Sequence, residues 1–449
     1  MTTIKTYESG LRFIFTQVNN PISAFNLVVG VGAQNESYEQ EGLSHFLEHL
    51  IFKSTTNRTV EEINDQLSYI GANHNAATYK DKTCFHFKVP KQNFEKGLEI
   101  FSDILQNGRF LPQEIDPERA VVLEEMEMRN DNPGTILFSK IDNEFFAGTP
   151  RGHLTIGRKE VIQNVTPKQI VAYKNKHYTP NNMIVSVVAD MTFEQAEQLI
   201  QKYFPAYFKG KAKPTTQNRV PFDINIKNNY FSYDKDDNQV NLDIAIKGVG
   251  MFDEKFYVQQ VFCSLLGGDC SARLYKELRE KLGLAYSTWC SEDVKSDCGY
   301  LHLYIGTTDA KLEQAIVGMK KILFDIAKNG VTEKELNKIK NLLKNSFVYR
   351  EETSESICHG NANSLFKRDT KIIEFEEYCQ NIDKVTTKDI QDFAKQVFVE
   401  NNFVVGVVGK NIDIKRLKVY ETCLKKKNTQ KKQTQKTTQT EIESTQNQQ

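Results

Sequence analysis

The chain has 449 residues, with 58 basic and 58 acidic side chains and a formal net charge of zero at pH 7. This length predicts two to four domains, and the balanced charge argues against a nucleic-acid-binding protein or one held on an acidic membrane. The apolar runs are shorter than the roughly 18 residues of a membrane span, and the first residues lack a signal or transit pattern, so a cytoplasmic protein is expected.

The first half opens with the strand-like stretch AFNLVVGVGA (24–33) and continues with GLSHFLEHLIF (42–52), which has a helical pattern. On a helix, His45, Glu48 and His49 share one face. Two imidazoles one turn apart can both reach one zinc ion at about 2.0–2.1 Å. The Glu48 carboxylate could then take a proton from a water molecule held there. The alternative is the polar face of an ordinary amphipathic helix, but the apolar residues between the polar ones favour a metal site.

The segment DPERAVVLEEMEMRNDNP (116–133) predicts an acidic helix, with Asp116 as N-cap and the following proline as first helical residue. A hydrolytic zinc ion needs a third protein ligand. Glu118 and Glu125, seven residues apart, share a face with two valines, where an acidic group needs a partner such as a metal. Periodicity favours Glu125 over Glu124 only slightly, and both remain candidates.

The chain contains an internal repeat. VTPKQIVAYKNKHYTPNNMIVSVVAD (165–190) and VTTKDIQDFAKQVFVENNFVVGVVGK (385–410) align without a gap at an offset of 220, with nine of 26 positions identical. Each copy has the pattern of a helix, a turn and a Val-rich strand. We infer two homologous halves, residues 1–210 and 225–415. The predicted fold class is α+β, with each half a sandwich of mostly antiparallel sheet packed with helices.

The segments outside the two halves are polar. The join FKGKAKPTTQNRVPF (208–222) is polar and carries Gly and Pro, so residues 211–224 are predicted to be a linker. Residues 425–449 contain almost no apolar side chain and are predicted to be disordered. The eight cysteines show no CxxC spacing, which favours reduced core thiols over a zinc ribbon. The offset of 220 places LLGGD (265–269) where the first half has HFLEH, so only the first half is expected to bind a metal.

The HxxEH motif, followed 76 residues later by the acidic helix, resembles the pitrilysin (insulinase) family of zinc peptidases. It is most similar to the short members related to the mitochondrial processing peptidase β subunit, and the resemblance covers about residues 5–415. It implies peptide-bond hydrolysis with one zinc ion per chain. The implied roles are zinc ligands for His45, His49 and Glu125, general base for Glu48, and a ligand-orienting carboxylate for Glu118.

The resemblance also implies where a substrate binds. Within GANHNAATYKDKTCFHFKV, the backbone of Asn75 and Ala76 would pair with an extended peptide as an added β-strand. From the second half, Arg279 and Tyr286 would contact the substrate carbonyl, and the Tyr286 hydroxyl would donate to the developing oxyanion. A basic helix and a core tyrosine are the alternative interpretation of these two residues.

The resemblance implies a catalytic half and a clamping half that hold unstructured peptides in a clamshell cleft. Because a closed chamber needs four such domains, a homodimer is expected. One alternative is the catalytic subunit of a heterodimer, with a related non-catalytic partner chain, that removes N-terminal targeting segments. Another is an inactive peptide-binding relative. The remaining histidines are expected to have local structural roles: His74, His86, His153, His177, His302 and His359.

Overall fold

The computed structural model describes residues 2–212, 224, 226–369 and 371–420. The predicted tail at 425–449 and most of the predicted linker lie outside the described residues. The strands are β1 (Thr2–Thr6), β2 (Arg12–Gln17), β3 (Ile22–Val29), β4 (Asn73–Thr78), β5 (Thr83–Pro90), β6 (Met183–Ala189), β7 (Tyr230–Asp234), β8 (Val240–Lys247), β9 (Ser287–Val294), β10 (Gly299–Thr307) and β11 (Phe403–Gly409). The helices are α1 (Leu43–Ile51), α2 (Val60–Tyr69), α3 (Phe94–Asn107), α4 (Pro112–Asp131), α5 (Pro133–Phe145), α6 (Lys159–Asn164), α7 (Pro167–His177), α8 (Phe193–Tyr203), α9 (Phe256–Gly267), α10 (Leu312–Asn329), α11 (Glu333–Arg350), α12 (Ser354–Arg368), α13 (Phe375–Lys384) and α14 (Thr387–Val397).

The predicted α+β class is confirmed, because each of two compact units contains a mostly antiparallel sheet covered by helices. The units do not follow the sequence halves throughout, since each includes a segment from the other half. The first unit comprises Met1–Asp131, Phe146–Val220 and Leu342–Gln380. The second comprises Asn132–Phe145, Pro221–Asn341 and Asn381–Gln449.

The two sheets share a five-strand order, to which the first sheet adds β1. Among the described residues, the first sheet has six strands in the order β1-β2-β6-β3-β5-β4, and the second has five in the order β7-β11-β8-β10-β9. In the first sheet β6 pairs in parallel with β2, and in the second β11 pairs in parallel with β7. The other neighbouring strands in both sheets are antiparallel. The repeated segments end in β6 and β11, which occupy equivalent positions. This order is the structural counterpart of the sequence repeat.

The first sheet is covered on both faces. Alternate residues of β5 point to opposite sides, so that Phe85 and Phe87 enter the main core under α1 and α3. Cys84, on the other face, packs against Ala362 and Leu365 of α12. Helix α12 comes from the second half of the sequence, and the apolar surface that it buries explains why it belongs to the first unit.

The second sheet is covered by a helix from the first half of the sequence. Ile136 and Leu137 of α5 pack on Tyr304 and Val408. On the opposite face, α9 packs against β9, where Cys290 is buried. Helix α5 of the first half therefore belongs to the second unit. Helix α12 of the second half, with the end of α11 and the start of α13, belongs to the first unit.

Helix α4 begins earlier than expected. The prediction of Asp116 as N-cap is wrong, because the helix extends from Pro112 to Asp131 and contains Pro117. Proline in an early turn removes only one hydrogen bond of the helix, while Ile115 is buried and anchors the first turn in the core. Here packing outweighs the local helix-start signal.

None of the seven described cysteines forms a disulfide. Five are buried, as expected for core thiols, but Cys270 is exposed. Within the described part of the chain, no helix is long and apolar enough to cross a membrane.

Candidate active site

Helix α1 is fixed at its N-terminus by a tight backbone approach and a buried carboxylate. Gly42 has φ 98°, and a Cβ there would lie 2.8 Å from the Ile156 carbonyl oxygen, so glycine is required on two grounds. The Glu36 carboxylate accepts hydrogen bonds from the backbone N–H groups of Gly42 and Ser44 at 2.7 and 2.6 Å. Because these donors would otherwise be unsatisfied, Glu36 holds the start of the helix that carries the motif.

Three candidate metal ligands converge between α1 and α4. The Nε2 atoms of His45 and His49 lie 3.5 and 3.6 Å from the same oxygen of Glu125, Oε2. The ligands of a tetrahedral zinc ion, each about 2.0–2.1 Å from the metal, are separated by about 3.4 Å. These two distances therefore fit a zinc ion, which would bind the two histidines through Nε2. Glu124, in contrast, is exposed.

The contact between His49 and Glu118 is compatible with a cation between these groups. Its Nδ1 lies 2.7 Å from Glu118 Oε1, while the other Glu118 oxygen contacts Lys53 at 2.5 Å. With the proton on Nδ1, the Nε2 lone pair faces the Glu125 carboxylate, so two acceptors oppose each other with no hydrogen between them. A metal ion, or a second proton on His49, resolves that conflict.

The electrostatics of the site favour a bound cation. Burial, with the charge of His49 second, lowers the pKa of His45 to about 4, so this imidazole is neutral at pH 7 as metal binding requires. Burial also lowers the pKa of His49, but the hydrogen bond and charge of Glu118 outweigh it and raise the net pKa. The field that favours a proton on His49 would equally favour a metal ion.

Glu48 lies on the same helix face and is positioned by β4. Its Oε2 accepts a hydrogen bond from the Thr78 hydroxyl at 2.6 Å. Burial raises the pKa of Glu48, and the bond from Thr78 partly offsets that rise. The carboxylate is therefore a stronger base than an ordinary glutamate, with one oxygen held and the other available.

Strand β4 is an edge strand in the described sheet, since it pairs only with β5. Asn75 is exposed and Ala76 is half-buried. The Ala76 N–H donates a hydrogen bond to the Asn75 side-chain oxygen at 2.9 Å. A free edge that ends at Thr78, the partner of Glu48, is suited to pairing with an extended chain.

Arg279 and Tyr286 lie near each other in the second unit. Arg279 belongs to the π-helical segment Tyr275–Lys281. Its guanidinium lies 4.8 Å from the ring centroid of Tyr275 and 5.7 Å from that of Tyr286. Tyr286 is 79% exposed, which argues against its being a core tyrosine.

Several contacts at the site were not expected from the sequence. The contact of Thr78 with Glu48 and that of Lys53 with Glu118 were missed, because the two residues of each pair are far apart in the sequence. Arg129 was also missed, although it follows Glu125 by four residues, a spacing typical of helical ion pairs, and bonds Glu125 Oε1 at 2.9 Å.

Two of the other histidines lie beside a carboxylate. His302 Nδ1 lies 2.5 Å from the buried carboxylate of Asp243, and His153 Nε2 lies 3.4 Å from Glu41 Oε1. His86 and His359, however, lie together beside Glu355, a contact between the two sequence halves that was not expected.

Two family models match this chain. The model described as "Insulinase (Peptidase family M16)" matches residues 13–159, which include α1 and α4. The model described as "Peptidase M16 inactive domain" matches residues 164–343.

Similar proteins match over nearly the full length. An "Uncharacterized zinc protease" of Rickettsia felis is 30% identical over 390 residues, covering 85% of this chain and 92% of the relative. The "Uncharacterized zinc protease YmxG" of Bacillus subtilis is 28% identical, covering 88% and 95%. The crystal structure of a protease from Helicobacter pylori has a TM-score of 0.81 at 24% identity, covering 91% of this chain and 99% of that one. A peptidase M16 inactive domain from Pseudomonas fluorescens also has a TM-score of 0.81, at 18% identity and with 92% and 98% covered.

Proposed function

Because this chain belongs to the insulinase (M16) family of peptidases, we propose that it is a zinc-dependent endopeptidase that hydrolyses unstructured peptides. The observation that carries this proposal is the convergence of three ligand atoms beside a half-buried glutamate. His45, His49 and Glu125 offer atoms within 4.8 Å of one another. Glu48 extends from the same helix as the two histidines. Relatives that are named zinc proteases support the same reaction class.

The proposed mechanism assigns the proton transfers to Glu48. When bound, zinc supplies Lewis-acid chemistry, which polarises the scissile carbonyl and makes water acidic enough to lose a proton near pH 7. Glu48 accepts that proton on one carboxylate oxygen as the water oxygen attacks the carbonyl carbon. Thr78 holds the other Glu48 oxygen, Oε2, in place. Glu48 then gives the proton to the amine that leaves when the C–N bond breaks.

The substrate is proposed to bind as an added strand at the free edge of β4. Main-chain hydrogen bonds to Asn75 and Ala76 would give affinity without strong side-chain selection. The Ala76 N–H is bound by the Asn75 side chain, so an incoming carbonyl would displace that oxygen. Arg279 and Tyr286 are proposed, from family resemblance, to bind the substrate carbonyl and the developing oxyanion. Their mutual contact supports a joint role.

We further propose that the protein is a cytoplasmic homodimer. There are two alternatives. One is the catalytic subunit of a heterodimer, with a related non-catalytic chain, that removes N-terminal targeting segments, and the other is an inactive peptide-binding protein. Light scattering on the purified chain distinguishes the assemblies. A monomer that retains full peptidase activity contradicts the dimer.

The experiment that tests the activity compares wild type with Glu48→Gln on an unstructured fluorogenic peptide, with zinc counted by mass spectrometry. We expect Glu48→Gln to keep the wild-type zinc content and to lose about 10²- to 10⁴-fold in kcat, the usual contribution of a general base. Glu125→Gln should lose one equivalent of zinc, and the matched variant Glu124→Gln should lose none. Full zinc occupancy without cleavage of any unstructured peptide would refute the peptidase.

A further inference from the structure

A second cluster of metal-ligating side chains lies on the other face of the first sheet. Along β5, Cys84, His86 and Lys88 alternate with the core phenylalanines and point toward α12. Helix α12 places Glu355 and His359 four residues apart, hence on one face. His86 comes from the first half of the sequence, and its two neighbours come from the second.

The three side chains are close enough to share one ion. His86, Glu355 and His359 each offer a ligand atom, and these atoms all lie within 4.8 Å of one another. The two imidazole rings have centroids 4.4 Å apart and an interplanar angle of 80°. Two imidazoles and a carboxylate are a ligand set suited to zinc and related transition metals.

Among the described residues, one ring nitrogen of His86 has no hydrogen-bond partner, as is also true of His74, His153 and His177, but of these four only His86 lies in a cluster of possible ligands. His86 Nδ1 is buried and makes no hydrogen bond. An unsatisfied buried polar atom in a folded protein requires an explanation, such as an ion. Burial, with the charge of His359 second, lowers the pKa of His86 to about 4 and keeps its imidazole neutral.

Asn26 is placed to orient His359. It pairs across the sheet with His86, and its Nδ2 lies 3.3 Å from His359 Nδ1 while its Oδ1 is buried without a partner. Because amide oxygen and nitrogen can be exchanged by a flip, Asn26 Oδ1 can accept the Nδ1–H of His359. That arrangement leaves the Nε2 lone pair of His359 free to bind a metal, as outer-shell partners commonly do.

Two lysines oppose a cation at this position. Lys88 Nζ lies 2.5 Å from Glu355 Oε2, which leaves Oε1 for a metal. The Lys82 ammonium hydrogen-bonds Asn363 and lies 5.4 Å from the ring centroid of Phe366. In the absence of a metal the lysine–glutamate ion pair and the paired rings are themselves a stable arrangement, so a metal must compete with Lys88. The metal affinity of this cluster is therefore expected to be lower than that of the site formed by His45, His49 and Glu125.

We propose that His86, Glu355 and His359 form a second site for a divalent transition metal, of the zinc class, which joins β5 to α12. Because the two sides of the site come from opposite sequence halves, a bound ion would crosslink helix α12 to the sheet. The site is independent of the peptidase activity.

Cobalt binding tests the proposal on the full-length chain. The double variant His45→Ala/His49→Ala removes the first site, and Co²⁺ is then titrated while its visible absorption is followed. We expect one equivalent to bind and to raise the melting temperature. On this background, Glu355→Gln and His359→Ala should each abolish binding, whereas Lys88→Gln, which removes the competing ammonium, should tighten it on the order of 3- to 10-fold.

The controls separate loss of the site from loss of the fold. His177→Ala replaces a half-buried histidine of the same unit outside the cluster and should leave the titration unchanged. Circular dichroism confirms folding, and Glu355→Gln conserves shape if an alanine variant fails to fold. The proposal is overturned if the double variant binds no cobalt, or if binding survives Glu355→Gln and His359→Ala.

Discussion

Replacing Glu118 by glutamine tests whether this residue orients a zinc ligand. In the structure Glu118 Oε1 receives the Nδ1–H of His49, and Oε2 receives Lys53. A glutamine has the same shape but one acceptor oxygen. If that oxygen faces His49, the amide N–H₂ faces the Lys53 ammonium, donor against donor. If it faces Lys53, His49 loses its acceptor.

The expected magnitude follows from that lost bond. The contact at 2.7 Å is charge-assisted, and the Glu118 side chain is only 11% exposed, so water cannot replace it fully. Loss of such an outer-shell partner weakens metal binding about 10- to 100-fold, or about 1.4–2.7 kcal/mol. Peptide cleavage at saturating zinc should change less than the zinc affinity does.

The assay is zinc affinity by competition with a chromogenic chelator, in a Glu355→Gln background that removes the second proposed site. Glu127→Gln is the matched control, because Glu127 lies on the same helix with a side chain that is 63% exposed. An unchanged zinc affinity in Glu118→Gln would refute the argument that this carboxylate orients His49. An equal loss in Glu127→Gln would show that the effect is only general electrostatics.

Three further predictions concern the base, a buried ion pair and helix α12. Thr78→Val should lower kcat about tenfold and move the acidic limb of the pH profile upward, because a bond that lowers the pKa of Glu48 is lost. Thr78→Ser should restore both, and an unchanged profile contradicts the role. Burial raises the pKa of Asp103, but its hydrogen bonds, including one from Arg58, outweigh this and lower the net pKa. Its stabilisation is thus present above its ordinary pKa near 3.8 and is lost as pH falls through the lower folded value. Asp103→Asn should lower the free energy of unfolding by about 1–3 kcal/mol at pH 7, because Arg58 keeps its ion pair with Glu99. It should also flatten the acid side of the stability-against-pH curve measured by urea unfolding, and an equally steep curve argues against the prediction. Leu365→Ala, at a fully buried position of α12, should cost about 2–5 kcal/mol in the same assay, and a loss below about 1 kcal/mol contradicts the packing.

Features that depend on neighbours in the chain could be predicted from the sequence alone. The helical spacing of His45, Glu48 and His49 places them on one face whatever surrounds the helix. The repeat at an offset of 220 predicts two similar α+β units, and the strand orders of the two sheets agree with it. These inferences need only local periodicity and the comparison of one segment with another.

Features that depend on distant contacts were decided by the tertiary structure. Glu125 and Glu124 differ little in helical pattern, but the packing of α4 on α1 brings only Glu125 beside both imidazoles. The start of α4 at Pro112 likewise follows from the burial of its first turn and not from its capping signal.

The sequence could not predict that α5 belongs to the second unit and α12 to the first. It therefore could not predict the contact between His86 and His359 either. Amphipathic helices from the two halves have similar apolar faces. The hydrophobic periodicity of a helix therefore predicts that one face is buried, but it does not predict which sheet covers that face. Only the folded chain, in which each face has one partner, determines that choice.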